Sequence, residues 1–238
     1  MDYSAFKRYA LYFLPPAEAA LSAFGARWLG WSIDEGRVVE FFDNLTEGHA
    51  VLTATARKYG FHGTLKPPFS LKNGYDAAQL HHAATELVAT LPQFVMPQLE
   101  LTNLSGFLAL RPATESDELS KMAEKLVSGL NHYRSPPSKA EIQRRRSLGL
   151  TPRQDVLLMR WGYPYVMDEF RFHLTLTHRI SNAEVRAVRK CIRSHLHDQM
   201  LSPQTIENIG FVGEKDDGNF HLIERLSLAS PQQHLDLS

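Results

Sequence analysis

Two short strings constrain this chain more than anything else in it. Residues 61–64 read Phe61-His62-Gly63-Thr64 and residues 172–175 read Phe172-His173-Leu174-Thr175, each followed by leucine at Leu65 and Leu176. In an extended strand, side chains at i and i+2 share a face. Each string therefore sets a histidine beside a threonine hydroxyl, with Phe and Leu on the reverse. The second string sits in a strict alternation. Phe170, Phe172, Leu174 and Leu176 face one way, and Arg171, His173, Thr175 and Thr177 the other. The polar face of the first carries Gly60, His62, Thr64 and Lys66. Gly63 falls on its apolar side, where close packing can demand a small residue. A Ser or Thr two residues after a histidine is common enough that about one match is expected by chance among the 11 histidines. The weight lies in context: both strings sit mid-strand, both follow Phe, and both precede Leu.

The surrounding pattern repeats. Residues 7–14 read as a strand ended by Pro15-Pro16, and Ala17 to Leu29 as a helix. Residues 32–57 read as irregular. Lys58 to Lys66 is the first histidine strand, stopped by Pro67-Pro68; Asp76 caps a helix with Leu80, Ala84, Leu87, Val88 and Leu91 on its apolar side, and a strand follows near 98–103. The second half opens with a strand over 106–111. A helix from Thr114 follows, with Leu119, Met122, Leu126 and Leu130 in one stripe. Residues 136–165 have no counterpart in the first half, and Thr151-Pro152 opens a helix there. Phe170 to Thr177 is the second histidine strand. Ser181 and Glu184 form a capping box, and strands over 205–213 and 219–228 meet at Asp216-Asp217-Gly218. Strand, helix, histidine strand, helix, strand thus occurs twice. The expectation is one bilobal domain, with lobes of about 1–104 and 105–238 and an insertion at about 136–165.

Bulk properties narrow the class of function. Lys+Arg and Asp+Glu are 26 each, so the formal net charge is zero and the basic surplus of a long-nucleic-acid binder is missing. No apolar run is long enough to span a bilayer, and Met1-Asp2-Tyr3 opens no signal pattern, so the expectation is a soluble, cytoplasmic protein. The one cysteine, Cys191, excludes an internal disulfide, argues against a cysteine-based zinc site, and reads as a buried small apolar group.

Two imidazoles and two hydroxyls around a small anion suit cleavage of a phosphoester. A base activates water or a hydroxyl and an acid protonates the leaving oxygen. Histidine titrates near neutrality, so two can hold opposite protonation states at once. Hydroxyls and an arginine can hold the non-bridging oxygens. His62 and His173 are the acid–base candidates. Thr64, Thr175 and Arg171 are the phosphate-holding candidates, and Arg57, Tyr59, Lys66, Tyr163 and Tyr165 are possible pocket residues. The run Arg144-Arg145-Arg146 reads as a solvated helix face, and His81-His82, His195 and His197 as surface residues. The scheme requires no metal and no cofactor. Two other readings stay open: a phosphate- or nucleotide-binding accessory protein without turnover, and a metallo-hydrolase with His62 and His173 as ligands. The chain has no H-E-x-x-H motif to favour the last.

The pair His62-Gly63-Thr64-Leu65 and His173-Leu174-Thr175-Leu176 resembles the signature of the 2H phosphoesterase superfamily, the LigT-like enzymes. The longer strings, Arg57 to Phe69, Trp161 to Val166 and Phe170 to Thr177, resemble an uncharacterised branch encoded beside bacterial phosphonate-utilisation genes. The resemblance runs from about Tyr9 to Leu228. It implies an α+β, bilobal, pseudo-two-fold fold, with two antiparallel sheets lining a central cleft and helices outside. It also implies His62 and His173 as the acid–base pair, Thr64 and Thr175 as phosphate-holding hydroxyls, and a small cyclic phosphoester as substrate.

Overall fold

The computed structural model describes residues 3–230. The chain is α+β, and its main sheet is antiparallel throughout. The sheet has seven strands. At its centre lies β4 (Gly63–Phe69); on one side follow β1 (Arg8–Phe13), β10 (Asn208–Glu214) and, at the edge, β11 (Phe220–Ser227). On the other side of β4 follow β8 (Leu174–Thr175), β7 (Phe107–Pro112) and β6 (Leu99–Leu104). Two small ribbons stand apart, β2 (Trp31–Ser32) with β3 (Arg37–Val38), and β5 (Phe94–Met96) with β9 (Gln204–Ile206).

The sheet does not respect a division of the chain near residue 104. β10 and β11, from the end of the chain, complete the side that carries β1 and β4, while β6 pairs with β7 along its length. The two expected sheets meet edge to edge through a single pair, Gly63 opposite Leu174, and so join into one.

Helices α1 (Ala20–Leu29), α3 (Ala77–Ala89), α4 (Asp117–Gly129) and α7 (Asn182–Arg193) bury their apolar faces on one side of this sheet. Phe24 and Trp28, Leu80 and Val88, Met122 and Leu126, and Val188 and Ile192 pack there with Leu11, Leu65, Leu110 and Leu174. Cys191 is half-buried at the edge of this core. Alternate residues of β1 turn the other way: Ala10, Tyr12 and Leu14 pack with Trp31, Ile33, Val212 and Phe220. β1 is thus apolar on both faces because it is covered on both.

Capping explains several helix starts. Asp76 accepts the Gln79 N–H at 2.8 Å while the Gln79 side chain accepts the Asp76 N–H at 3.0 Å, and Thr151 and Gln154 close the same box on α6 (Pro152–Trp161). The Ser181 N–H donates to Glu184 at 2.8 Å at the start of α7. α4 begins at Ser116 rather than Thr114, since the Ser116 hydroxyl accepts the Leu119 N–H.

Several expectations on local structure are corrected. Residues 32–57 are not irregular throughout, for α2 (His49–Arg57) lies within them; it starts at Gly48 in the left-handed region with no side-chain cap, so its sequence carries no start signal. The first histidine strand starts at Gly63, because Tyr59 and Gly60 close a turn onto Ala56 and Arg57, with Gly60 at φ +72°. It runs on through Pro67 and Pro68, where the β1–β4 register is irregular and fewer ladder donors are needed. The second histidine strand is only β8, two residues long; Met167–Glu169 form a 3-10 turn before it. The strand expected over 205–213 is two, β9 and β10, whereas the run Arg144–Arg146 lies on a helix as expected, at the end of α5 (Lys139–Arg146). No helix among the described residues is long and apolar enough to cross a membrane.

Candidate active site

The pairing of Gly63 with Leu174 is the joint on which the site is built. These are the residues between histidine and threonine in the two strings. One position either way along an antiparallel pair, His62 comes beside Thr175 and Thr64 beside His173. All four lie on the face opposite Gly63 and Leu174, and all four are half-buried, whereas Gly63 and Leu174 are buried in the core. Gly63 is required by contact: a Cβ there would sit 2.4 Å from the ring of Phe172. The backbones of the two strings can therefore approach because one of them lacks a side chain.

Both imidazoles are anchored in the same way. His62 Nδ1 lies 2.9 Å from the Gly60 carbonyl and His173 Nδ1 lies 2.8 Å from the Arg171 carbonyl, in each case the residue two before it. A carbonyl only accepts, so Nδ1 carries the proton and a neutral ring keeps its lone pair on Nε2. The Thr64 hydroxyl donates to His62 Nε2 at 2.9 Å. Nε2 of His173 makes no hydrogen bond among the described residues.

The surroundings differ. The His62 ring stacks on Tyr12 at 3.8 Å between centroids, with Tyr59 at 6.2 Å. Burial pushes its pKa down to about 4; the Gly60 carbonyl opposes the shift and the nearby charge of His173 adds to it. Burial also lowers His173, opposed by the Arg171 carbonyl. Its aromatic neighbour, Phe107, is 5.6 Å away and tilted.

Thr177, expected on the polar face with His173, is buried, and its hydroxyl accepts the Leu108 N–H at 2.9 Å, since β8 ends before it. Arg171 is exposed, and its Nη1 donates to the carbonyls of Asp168 and Phe170 within its own loop. Arg57 lies away from the pair: its guanidinium donates to the carbonyls of Leu29 and Ala50 and clips α2 to the end of α1. Tyr59 stands over the site, stacked on Phe220 at 5.3 Å. Lys66 is buried, with Nζ donating to the Val127 carbonyl at 3.2 Å and the Phe69 ring 4.8 Å away; burial and the nearby Arg134 lower its pKa to about 7. Tyr163 is half-buried under the Arg145 guanidinium at 4.5 Å, and Tyr165 is exposed beside it.

Tyr12 is the residue that sequence reasoning missed. It is fully buried, and its hydroxyl has no hydrogen-bond partner among the described residues. Burial above all, then the phenols of Tyr59 and Tyr163, push its pKa well above the usual value, with Arg8 opposing. The string Tyr9-Ala10-Leu11-Tyr12-Phe13 is apolar on both faces, so nothing in it marks the tyrosine that meets a histidine. Arg8, next on that face, forms a two-pronged pair with Glu214.

The sequence profile described as Protein of unknown function (DUF1045) matches residues 64–221, which is well over half of the chain and includes the second string. The chain belongs to the DUF1045 family. This agrees with the uncharacterised branch that the longer strings resemble. Among curated relatives, a protein of Janthinobacterium sp. (strain Marseille) named ribose 1,5-bisphosphate phosphokinase PhnN is 35% identical over 79% of this chain and 43% of its own. The protein of the same name from Laribacter hongkongensis (strain HLHK9) is 29% identical over 89% of this chain and 49% of its own. The DUF1045 chain therefore spans about half the length of the curated relatives it matches. A solved structure, E. coli LigT complexed with 3′-AMP, aligns over 94% of this chain and 98% of its own at 14% identity and a TM-score of 0.45.

Proposed function

We propose that this protein is a metal-independent phosphoesterase that opens a cyclic phosphodiester, or a related small phosphoester, by two-histidine acid–base catalysis. The observation that carries the reading is the Gly63–Leu174 pair, which brings both His/Thr units to one face in pseudo-two-fold register. His62, held neutral by burial, is the general base: Nε2 takes a proton from water as the oxygen attacks phosphorus. The bond from phosphorus to the leaving oxygen breaks, and His173 Nε2 delivers a proton to that oxygen. An anionic phosphate between the rings favours the charged form of His173, which its carbonyl anchor also supports. Thr64 and Thr175 hold non-bridging oxygens. The Thr64 hydroxyl turns from His62 to the phosphate when substrate enters and so frees Nε2 for water.

The curated relatives are named as kinases of ribose 1,5-bisphosphate, and this chain spans only about half of each. It contains no Gly-Lys pair, and so no phosphate loop of the G-x-x-x-x-G-K-[ST] kind. We assign the phosphoester chemistry to this half and read the kinase name as describing the remainder of those proteins. The resemblance of the motif strings to the phosphonate-utilisation branch supports a small sugar phosphate as the substrate class.

The test is hydrolysis of 2′,3′-cyclic nucleotides, ribose cyclic phosphates and a generic diester in excess chelator. Wild type is run beside His62→Ala and His173→Ala. Turnover that survives chelator and is lost in both variants supports the mechanism. Turnover abolished by chelator overturns it.

A further inference from the structure

The pseudo-two-fold gives Tyr12 a counterpart. On β1, Tyr12 lies opposite Thr64 and Phe13 opposite Gly63; on β7, Ala109 lies opposite Thr175 and Leu110 opposite Leu174. Tyr12 and Ala109 therefore hold the same place beside the two His/Thr units, and both are buried. An alanine fills that place in one half, so strand pairing does not by itself call for a ring in the other. What the ring adds is contact with an imidazole. Tyr12 lies flat on His62, at 3.8 Å between centroids and 25° between planes. Phe107, the aromatic neighbour of His173, is 5.6 Å away at 57°.

That contact fixes a freedom the other bonds leave open. The Gly60 carbonyl holds His62 by Nδ1 and leaves the ring free to tilt about that bond. The Thr64 hydroxyl steadies Nε2, but that bond is given up when a phosphate enters. Tyr59 is tilted and 6.2 Å away. Tyr12 is then the remaining hold on the imidazole plane. It also faces the charge that His62 gains. The face of a phenol ring is electron-rich and attracts a cation, most strongly where water is excluded. Imidazolium gains more from it than neutral imidazole, so the contact strengthens as Nε2 takes its proton. Burial and the neighbouring phenols push the Tyr12 pKa well up, so Tyr12 stays neutral and is itself neither acid nor base. Its hydroxyl is buried without a partner among the described residues, which leaves the role to the ring. Resting on the phosphoesterase reading above, we propose that Tyr12 is a positioning residue. Its ring holds the His62 imidazole in plane, supports the imidazolium, and so makes His62 rather than His173 the base.

The test grades the ring with little change of shape. In the full chain, position 12 carries phenylalanine and then phenylalanine with one, two and three ring fluorines, each of which draws electrons from the face. Across the series kcat on the substrate panel above should fall stepwise by about tenfold, with KM within about twofold and the melting temperature unmoved. Tyr12→Leu, which keeps apolar bulk without a ring, should lose at least as much, and Tyr12→Phe should restore most of that loss. The titration midpoint of the His62 ring, followed by NMR and identified by its absence in His62→Gln, should fall by about half a pH unit or more along the same series. A midpoint that ignores fluorination overturns the positioning role. Turnover that ignores it overturns the role and leaves the phosphoesterase reading standing. A falling midpoint in a protein that hydrolyses nothing on the panel overturns that reading and leaves the hold of Tyr12 on His62.

Discussion

His62 and His173 hang from the backbone by the same bond, Nδ1 to the carbonyl two residues earlier, yet they meet different walls. His62 lies flat on Tyr12 at 3.8 Å and takes the Thr64 hydroxyl; His173 has a tilted Phe107 at 5.6 Å and an Nε2 without a hydrogen bond among the described residues. The repeated string makes two imidazoles equivalent in backbone terms. The neighbouring strands then make them unequal. β1 supplies Tyr12 to one, and β7 supplies Phe107 to the other. A pair of acid–base groups needs that inequality, since one must be proton-free while the other holds a proton.

The largest expected effect is loss of either imidazole. His62→Ala and His173→Ala should each lower kcat by about 10²–10⁴-fold, the usual range for a positioned acid or base. The wild-type pH–rate profile should be bell-shaped, and a flat profile between about pH 5 and 9 would break the assignment. Next comes the joint between the two strings. Gly63→Ala drives a Cβ to 2.4 Å from Phe172 and should cost about 1–3 kcal/mol of stability, with loss of turnover as the strings part. A melting curve and a rate on the same sample read both.

The third prediction sharpens the inequality itself. His62 titrates near 4 when folded, against an ordinary value of 6.5. Above pH 6.5 the ring is neutral in both states and contributes nothing to the pH dependence. As pH falls from 6.5 to 4 the unfolded chain takes up a proton that the folded chain refuses, so stability is lost, by roughly 3 kcal/mol in total. His62→Gln should lose less stability over that interval, measured by urea unfolding at pH 7 and pH 4.5. An identical loss in wild type and variant would show that His62 is no more desolvated than an ordinary histidine. The smallest effect is expected at Arg171. Its Nη1 already donates to the carbonyls of Asp168 and Phe170, so Arg171→Ala should change kcat/KM by about threefold or less. A hundredfold loss would give the guanidinium a direct hold on phosphate.

Much of the site was legible because it is written in local periodicity. His62 with Thr64, and His173 with Thr175, follow from alternation, and the need for a small residue at Gly63 follows from its place on the apolar face. Helices with caps were legible too, as Asp76, Thr151 and Ser181 announce them. What escaped has a physical reason in each case. α2 starts on a glycine with no capping side chain. The strand through Pro67 and Pro68 survives because its register with β1 is irregular there. Tyr12 lies in a string that is apolar on both faces, and Arg57 shows only after folding that its donors belong to Leu29 and Ala50.

By itself the sequence determined two histidine–threonine units, each on one face of an extended segment, and an α+β chain to carry them, because side-chain alternation and capping are local properties of the backbone. Only the tertiary structure decided that Gly63 lies opposite Leu174, that Tyr12 stacks on one imidazole and not the other, and that Lys66 is buried near Arg134 with no carboxylate paired to it among the described residues. Strand partners and desolvation are set by residues far apart in the chain, and no local pattern encodes them.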